Sequence, residues 1–170
     1  MKFVILRMIF YENESVNQIL EDNSTVSLEN VNQWNREFLA TLQTEEKHDV
    51  AVWLTRLNIG GPSGYAPVSG VCDEDRSCSL NRDEGLSSAF ILAHELGHIL
   101  GLSHDGDLGA GNTCEKESNE GSVMAPMVAA TFSYFHWSSC SAGEYHYKVR
   151  DGTCLDPLFH PPSSQMNGSA

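Results

Sequence analysis

The stretch HELGHILGLSHD, residues 94–105, decides the fold that we expect for this 170-residue chain. On an α-helix, residues four positions apart lie on the same face, one turn from each other. His94 and His98 are therefore predicted to present their imidazoles to one metal ion. Glu95 stands one residue past His94 and points off the ligand direction. We expect its carboxylate to reach a water beside the metal, as a general base does.

The residues after this helix complete the pattern of a catalytic metal site. Gly101 permits the positive φ that ends a helix, and His104 can then fold back as the third ligand. Three neutral histidines with a fourth position open are typical of catalytic zinc, whereas structural zinc has four protein ligands. The alternative is that the three histidines are ordinary core or surface residues. HExxH alone often arises by chance, but the added Gly101, His104 and Asp105 disfavour that alternative.

The motif resembles that of a known protease superfamily. HExxHxxGxxH followed by a methionine turn is the metzincin signature, and Met124 in SVMAPM stands about twenty residues past His104. We expect Met124 to form an apolar floor under the metal, although an ordinary core methionine would look the same in sequence. Asp105, directly after the third histidine, resembles the adamalysin branch. The stretches GGPSGYAPVSGVCDEDRSCSLNRDEGLSSAFILAHELGH and VMAPMVAATFSYFHWSSCS resemble the catalytic domain of the ADAMTS proteases, and within them the procollagen N-proteinase subgroup.

This resemblance implies an α/β (α+β) zincin fold with a mixed twisted sheet, a zinc helix and a small irregular C-terminal part. We expect one catalytic domain over residues 1–159, divided into an upper part, 1–101, and a lower part, 102–159, and a flexible tail at 160–170. Compared with the family, the first strand and the first helix are missing. The implied activity is that of a secreted zinc endopeptidase acting on extracellular-matrix proteins, including procollagen propeptides. The alternative is a truncated, catalytically silent module that binds zinc or a partner.

The cysteine spacing fits neither CxxC redox chemistry nor a structural zinc ribbon. In an oxidising compartment, five cysteines would form disulfides and leave one thiol over. Connectivity does not follow from spacing, but the resemblance implies Cys72–Cys154 and Cys114–Cys140. It also implies that Cys78 has lost its partner, because the matching helix position is occupied by Asn32. Cys78 is then either free or paired between molecules.

The resemblance further implies a calcium ion far from the zinc. Asp49 matches one ligand position of the family, while Cys154 and Asp156 lie near two others with a spacing one residue short. Hard oxygen ligands favour calcium over zinc there. Alternatively, Asp49 only flanks the start of its strand.

Composition limits the classes of partner. A net charge of −13 argues against binding to nucleic acid or to anionic membranes, and no apolar run approaches the length of a membrane span. The opening MKFVILRMIF is interrupted by Arg7 and lacks a small-residue cleavage site. We therefore interpret it as a strand rather than a signal peptide. The sequence does not indicate an oligomeric state.

Hydrophobic periodicity and turn residues predict six elements. The helix that Ser27 caps has an apolar face of Leu28, Val31, Trp34, Phe38 and Leu42. The elements are a strand at 2–12, that helix, a buried strand at 49–57, an irregular edge strand at 60–70, the zinc helix at 87–100 and an amphipathic helix near 141–149.

Overall fold

The computed structural model describes residues 3–11, 18–128, 135–149 and 153–155. Over these residues the helices are α1 (Ser24–Leu39), α2 (Ser88–Ile99), α3 (Glu115–Glu120) and α4 (Ser139–Lys148), and the strands are β1 (Ala51–Thr55), β2 (Gly64–Tyr65) and β3 (Cys78–Arg82). The α+β class is confirmed, as are the zinc helix and the helix near 141–149. None of the described helices is long and apolar enough to cross a bilayer. The tail predicted at 160–170 lies outside the described residues.

The sheet has the order β1-β3-β2, in which β1 is parallel and β2 antiparallel to the central strand β3. The edge strand expected in 60–70 is confirmed as β2. The sequence analysis missed β3 because its buried residues include the polar Ser79 and Asn81. Hydrogen bonds offset only part of the burial of Asn81. Its amide nitrogen donates to the Trp53 carbonyl and to the Ser79 hydroxyl, while its side-chain oxygen has no hydrogen-bond partner among the described residues.

The prediction of a buried strand at 49–57 is only partly right. The strand is the five-residue β1, and its side chains alternate between half-buried and exposed. Val52 and Leu54 are 42% and 53% exposed, respectively. Alternate side chains of a strand point to the same face, so the face of β1 that carries Val52 and Leu54 is the exposed one.

The prediction of a buried strand at 2–12 is wrong for the residues that the structure describes. Residues 3–11 have no regular secondary structure, and Ile5 and Phe10 are each 78% exposed. β-prone residues form a strand only where a neighbouring strand accepts their backbone hydrogen bonds, and local sequence cannot supply that neighbour. This segment instead contacts the domain through its side chains. Tyr11 stacks on Trp53 with ring centroids 5.4 Å apart, and the Arg7 guanidinium lies over the ring of Phe38.

The prediction that Ser27 caps the first helix is also wrong. α1 begins one turn earlier, where the Asn23 side chain accepts a hydrogen bond from the Val26 backbone N–H at 3.2 Å. Asparagine is as good an N-cap as serine, so the two candidates could not be separated by residue type. Ser27 is buried instead, and its hydroxyl bonds to both the backbone N–H and the carbonyl of Leu20.

The apolar face predicted for α1 is confirmed over most of its length. Val31 is fully buried and Leu28 packs against the same core cluster, which also contains Ile59 and Leu80. Trp34 and Phe38 are half-buried and form an aromatic cluster with Trp53 and Tyr11. Leu42 is the exception, because the helix ends at Leu39.

Both implied disulfides are present, Cys72–Cys154 and Cys114–Cys140. Cys78 is free and fully buried at the start of β3. Asn32 does lie beside it, since its side-chain oxygen accepts the Cys78 backbone N–H at 3.0 Å. A thiol in this position is closed to a second molecule, so of the two alternatives for Cys78 the structure supports the free thiol.

We expect Cys78 to be unreactive in the folded protein. Burial raises the pKa of this thiol to about 12, so the nucleophilic thiolate is almost absent near neutral pH. A chromogenic disulfide reagent, added without reductant, should label no thiol in the native chain and one thiol in denaturant. Cys78→Ala is the control and should label in neither state. Rapid labelling of the native chain would contradict the buried position.

Candidate metal centre

The end of α2 sets the positions of the three histidines. Gly101 has φ of +92°, its backbone N–H donates to the His98 carbonyl at 2.8 Å, and the Leu102 N–H donates to the Gly97 carbonyl at 2.9 Å. This pair of bonds is the Schellman arrangement, which reverses the chain after a left-handed residue. The prediction for Gly101 is confirmed. The reversal brings His104 back towards the helix face that carries His94 and His98.

The three histidine side chains converge at one point. The Nε2 atoms of His94, His98 and His104 lie 3.1 to 3.2 Å from one another. Nitrogen ligands of tetrahedral zinc, each about 2.0–2.1 Å from the metal, are roughly 3.3 Å apart. The spacing in this chain fits that geometry.

Hydrogen bonds on the far side of two rings fix which nitrogen faces the centre. His94 Nδ1 lies 2.7 Å from the Val123 carbonyl, and His98 Nδ1 lies 3.0 Å from the Leu102 carbonyl. A carbonyl only accepts, so each Nδ1 carries the proton and each Nε2 turns a lone pair inwards. Lone pairs aimed at one point repel unless a cation lies between them. The donor set therefore fits a metal ion, and the carbonyls support the rings as outer-shell partners.

The surroundings also favour the neutral imidazoles that a metal needs. Burial lowers the pKa of His94. Burial, together with the neighbouring His94, lowers the pKa of His98 to about 4. Rings that stay unprotonated near neutral pH do not have to release a proton before they bind a metal.

Glu95 lies apart from the triad, as the sequence predicted. Its side chain is buried and reaches a cleft of about 230 Å³ lined by Pro62, Ser63, Gly64, Ile91, His94, Pro126, Met127 and Val128. Burial raises the pKa of Glu95 to about 7. The carboxylate lies against Gly64 of β2. The contact is so close that a Cβ added to that glycine would lie 2.5 Å from Glu95 Oε1. The sequence analysis did not identify Gly64, since no local pattern links it to Glu95.

Met124 is fully buried and packs with Leu102 and Val123 beside Ala93 of α2. Its carbonyl accepts the Asp105 backbone N–H at 2.8 Å, which ties the methionine turn to the loop of the third histidine. Gly97 of α2 faces this turn, and a Cβ on Gly97 would overlap Met124 Sδ.

Asp105 is a structural residue of the site whose partners the sequence did not reveal. It is 1% exposed, and its two carboxylate oxygens accept the hydroxyls of Ser138 and Ser122, each at 2.6 Å. A buried carboxylate requires such donors. Only the tertiary fold brings these two serines, which are distant in sequence, to the Asp105 carboxylate.

The calcium ligands named from the resemblance stay a prediction. Asp156 lies outside the described residues, and Cys154 is in a disulfide with Cys72. Asp49 stands just before β1. Within the described part of the chain, the histidine triad is the one group of three candidate ligands whose donor atoms all lie within 4.8 Å of one another.

The chain is similar to known proteins over nearly its whole length. Residues 2–158 match the family described as Reprolysin (M12B) family zinc metalloprotease. The chain is 49% identical to the Bombyx mori protein named A disintegrin and metalloproteinase with thrombospondin motifs 1, over 98% of this chain and 16% of that protein. It is 45% identical to the Homo sapiens protein named A disintegrin and metalloproteinase with thrombospondin motifs 3, over 92% of this chain and 13% of that protein. It is 43% identical to the Mus musculus protein named A disintegrin and metalloproteinase with thrombospondin motifs 2, over 97% of this chain and 14% of that protein. The chain thus spans at most 16% of the length of these three relatives.

The contact between Gly97 and Met124 predicts a reversal of the usual effect of alanine in a helix. Gly97→Ala should lower the free energy of unfolding by about 1–3 kcal/mol, because the added Cβ would overlap Sδ of the fully buried Met124 and force that side chain to move. Gly143→Ala, in α4, is the matched control. Its Cβ would meet nothing within 4 Å, so it should raise stability by roughly 0.5–1 kcal/mol. Urea unfolding measures both, and equal gains for the two variants would contradict the packing described for Gly97.

Proposed function

Because this chain belongs to the reprolysin (M12B) family of zinc metalloproteases, as an ADAMTS-type catalytic domain, we propose that it is an active zinc-dependent endopeptidase. The observation that carries this proposal is the convergence of three histidine Nε2 atoms beside a buried carboxylate that opens on a cleft. His94, His98 and His104 would hold the zinc ion. Glu95 would act on the substrate and the attacking water.

When bound, zinc supplies Lewis-acid polarisation of a water and of the scissile carbonyl. Glu95 accepts a proton from the attacking water while the oxygen forms its bond to the carbonyl carbon. The same carboxyl then delivers that proton to the leaving amine as the carbon–nitrogen bond breaks. No serine or cysteine nucleophile takes part, so no acyl-enzyme intermediate forms. The only free thiol among the described cysteines, Cys78, is buried in β3, away from this chemistry.

The sheet edge beside the cleft supports binding of an extended peptide. β2 is the outer strand next to β3, and Gly64 of β2 lies against Glu95. A substrate that adds to β2 through backbone hydrogen bonds would pass directly by the Glu95 carboxylate.

We further propose that this cleft separates an upper part of the domain, residues 1–101, from a lower part, residues 102–159.

We propose that the substrates are extracellular-matrix proteins, procollagen propeptides among them, and that the chain acts outside the cell. The two disulfides support an oxidising compartment. The protease family supports a protein substrate. A calcium ion bound by the carboxylates of Asp49 and Asp156 and by a backbone carbonyl at Cys154 is part of the same proposal.

Glu95→Gln tests the central role. Because the triad is untouched, the variant should retain the zinc content of the parent chain, while its turnover falls about 100-fold to 10,000-fold through loss of the general base. Metal analysis and cleavage of a broad peptide library give the two readings. Glu45→Gln is the matched control, because Glu45 is exposed and distant in sequence from Glu95. This variant should cleave peptides like the parent chain.

The same experiment separates the enzyme from the silent module. A folded parent chain that holds zinc and cleaves nothing in the library would support the module and refute the proposal. Full turnover in Glu95→Gln would refute the assignment of Glu95 alone.

Gly64→Ala is expected to disturb Glu95 without touching the metal ligands. The added Cβ would lie within 2.5 Å of Glu95 Oε1 and 2.6 Å of Ile91 Cγ2, so the carboxylate must move. A shift of about 1 Å in a reacting group can reduce rates on the order of 100-fold. We expect zinc content to be retained and the rate of peptide cleavage to fall. Unchanged cleavage would show that Glu95 does not act from the position described.

A further inference from the structure

The loop between the second and third histidines is held from outside by α4. Two side chains of that helix reach it, one turn apart. The Glu144 carboxylate accepts hydrogen bonds from the Ser103 backbone N–H at 2.8 Å and from the Ser103 hydroxyl. The Lys148 ammonium donates to the Gly101 carbonyl at 2.8 Å. Together they hold the start and the end of the Gly101–Ser103 turn.

Glu144 and Lys148 also bind each other, and a buried amide extends the cluster. Lys148 Nζ lies 2.9 Å from Glu144 Oε2. The Asn112 side chain, 2% exposed, donates to Glu144 Oε1 at 3.1 Å and to Asp105 Oδ1 at 3.2 Å. Its oxygen accepts the backbone N–H of Cys114, whose disulfide partner Cys140 lies in the first turn of α4. The Glu144 carboxylate is thus held by Lys148 and Asn112, and Asn112 is held in turn by its own hydrogen bonds.

The charge on Glu144 is retained in this setting. Its side chain is 16% exposed. Burial alone would raise the pKa of Glu144, but the hydrogen bonds from Ser103, Lys148 and Asn112 outweigh it and hold the pKa below its ordinary value. Hydrogen bonds to an ionised acceptor are stronger than those between neutral groups.

The Gly101–Ser103 turn influences the positions of two of the three histidine rings, those of His98 and His104. Leu102 supplies the carbonyl that orients the His98 ring. Ser103 directly precedes His104 in the chain. Movement of this turn would therefore shift His104 relative to α2 and would displace the carbonyl that orients the His98 ring on α2. Outer-shell groups that orient metal ligands influence metal affinity strongly.

We propose that Glu144 is a positioning residue that tunes zinc affinity by fixing the Gly101–Ser103 turn. This inference rests on the proposed function only in that zinc is the metal bound by the triad. Its measurement needs no turnover.

The test compares zinc dissociation constants, measured by competition with a chromophoric chelator on the purified chain. Glu144→Ala should weaken zinc binding about 10-fold to 100-fold, as loss of outer-shell partners does. Glu144→Gln keeps one oxygen to accept the Ser103 N–H and should fall between the parent and the alanine variant. Glu120→Gln is the matched control, because Glu120 forms an i,i+4 pair with Lys116 on α3 that is exposed. It should bind zinc like the parent.

Two further readings separate positioning from general stabilisation. The melting temperature of the metal-free chain reports any loss of stability, and the visible spectrum of the cobalt-substituted chain reports ligand geometry. Positioning predicts an altered cobalt spectrum in Glu144→Ala and partial recovery in Glu144→Gln. A lower melting temperature with parent-like zinc affinity and cobalt spectrum would overturn the proposal. If Glu144→Ala does not fold, Glu144→Gln alone decides by the same criteria.

The outcomes for the two proposals are distinct. Weakened zinc binding in the Glu144 variants of a chain that cleaves no peptide would support this inference and refute the protease activity. Unchanged zinc binding in the variants of a chain that does cleave would refute this inference alone.

Discussion

The candidate metal centre depends on holding three imidazole Nε2 atoms 3.1 to 3.2 Å apart. Without a cation between them this arrangement is unfavourable, so the surrounding protein must impose it. Helix α2 sets two rings one turn apart, a Schellman turn reverses the chain, and backbone carbonyls lock the outer nitrogens of His94 and His98. The same burial that disfavours protonated histidine also keeps the Glu95 carboxyl out of bulk water. One enclosure therefore surrounds both the histidine triad and Glu95.

Close approach of backbone is the second requirement, and it explains two glycines. β2 and the methionine turn both press on α2, at Gly64 and at Gly97. Neither contact has space for a Cβ, because each glycine faces a buried side chain, Glu95 in one case and Met124 in the other. An added methyl group at either position would overlap the facing side chain, which would then have to move. The cleft is narrow at this point because the sheet edge touches the helix directly.

Buried acids stabilise the part of the chain that follows α2. Asp105 and Glu144 each gather several donors, and Asn112 joins the two. A chain with a net charge of −13 can bury such carboxylates only where serine hydroxyls, amides and a lysine compensate for lost water. The Cys114–Cys140 disulfide holds α4 next to this network. Polar contacts and a covalent link thus compensate for a part of the fold with little regular structure.

The sequence by itself determined that His94 and His98 share one face of a helix and that Glu95 lies off that face, because the spacing of residues on one helix is a local property. It also determined the end of that helix at Gly101, and its resemblance to a family indicated both disulfides. Only the tertiary structure decided that residues 3–11 form no strand, that the partly polar β3 is the central strand, and that Asn23 rather than Ser27 caps α1. It alone brought Gly64 and Glu144 to the site. Strand pairing and side-chain contacts join segments that are distant along the chain, and no local pattern records which segments will meet.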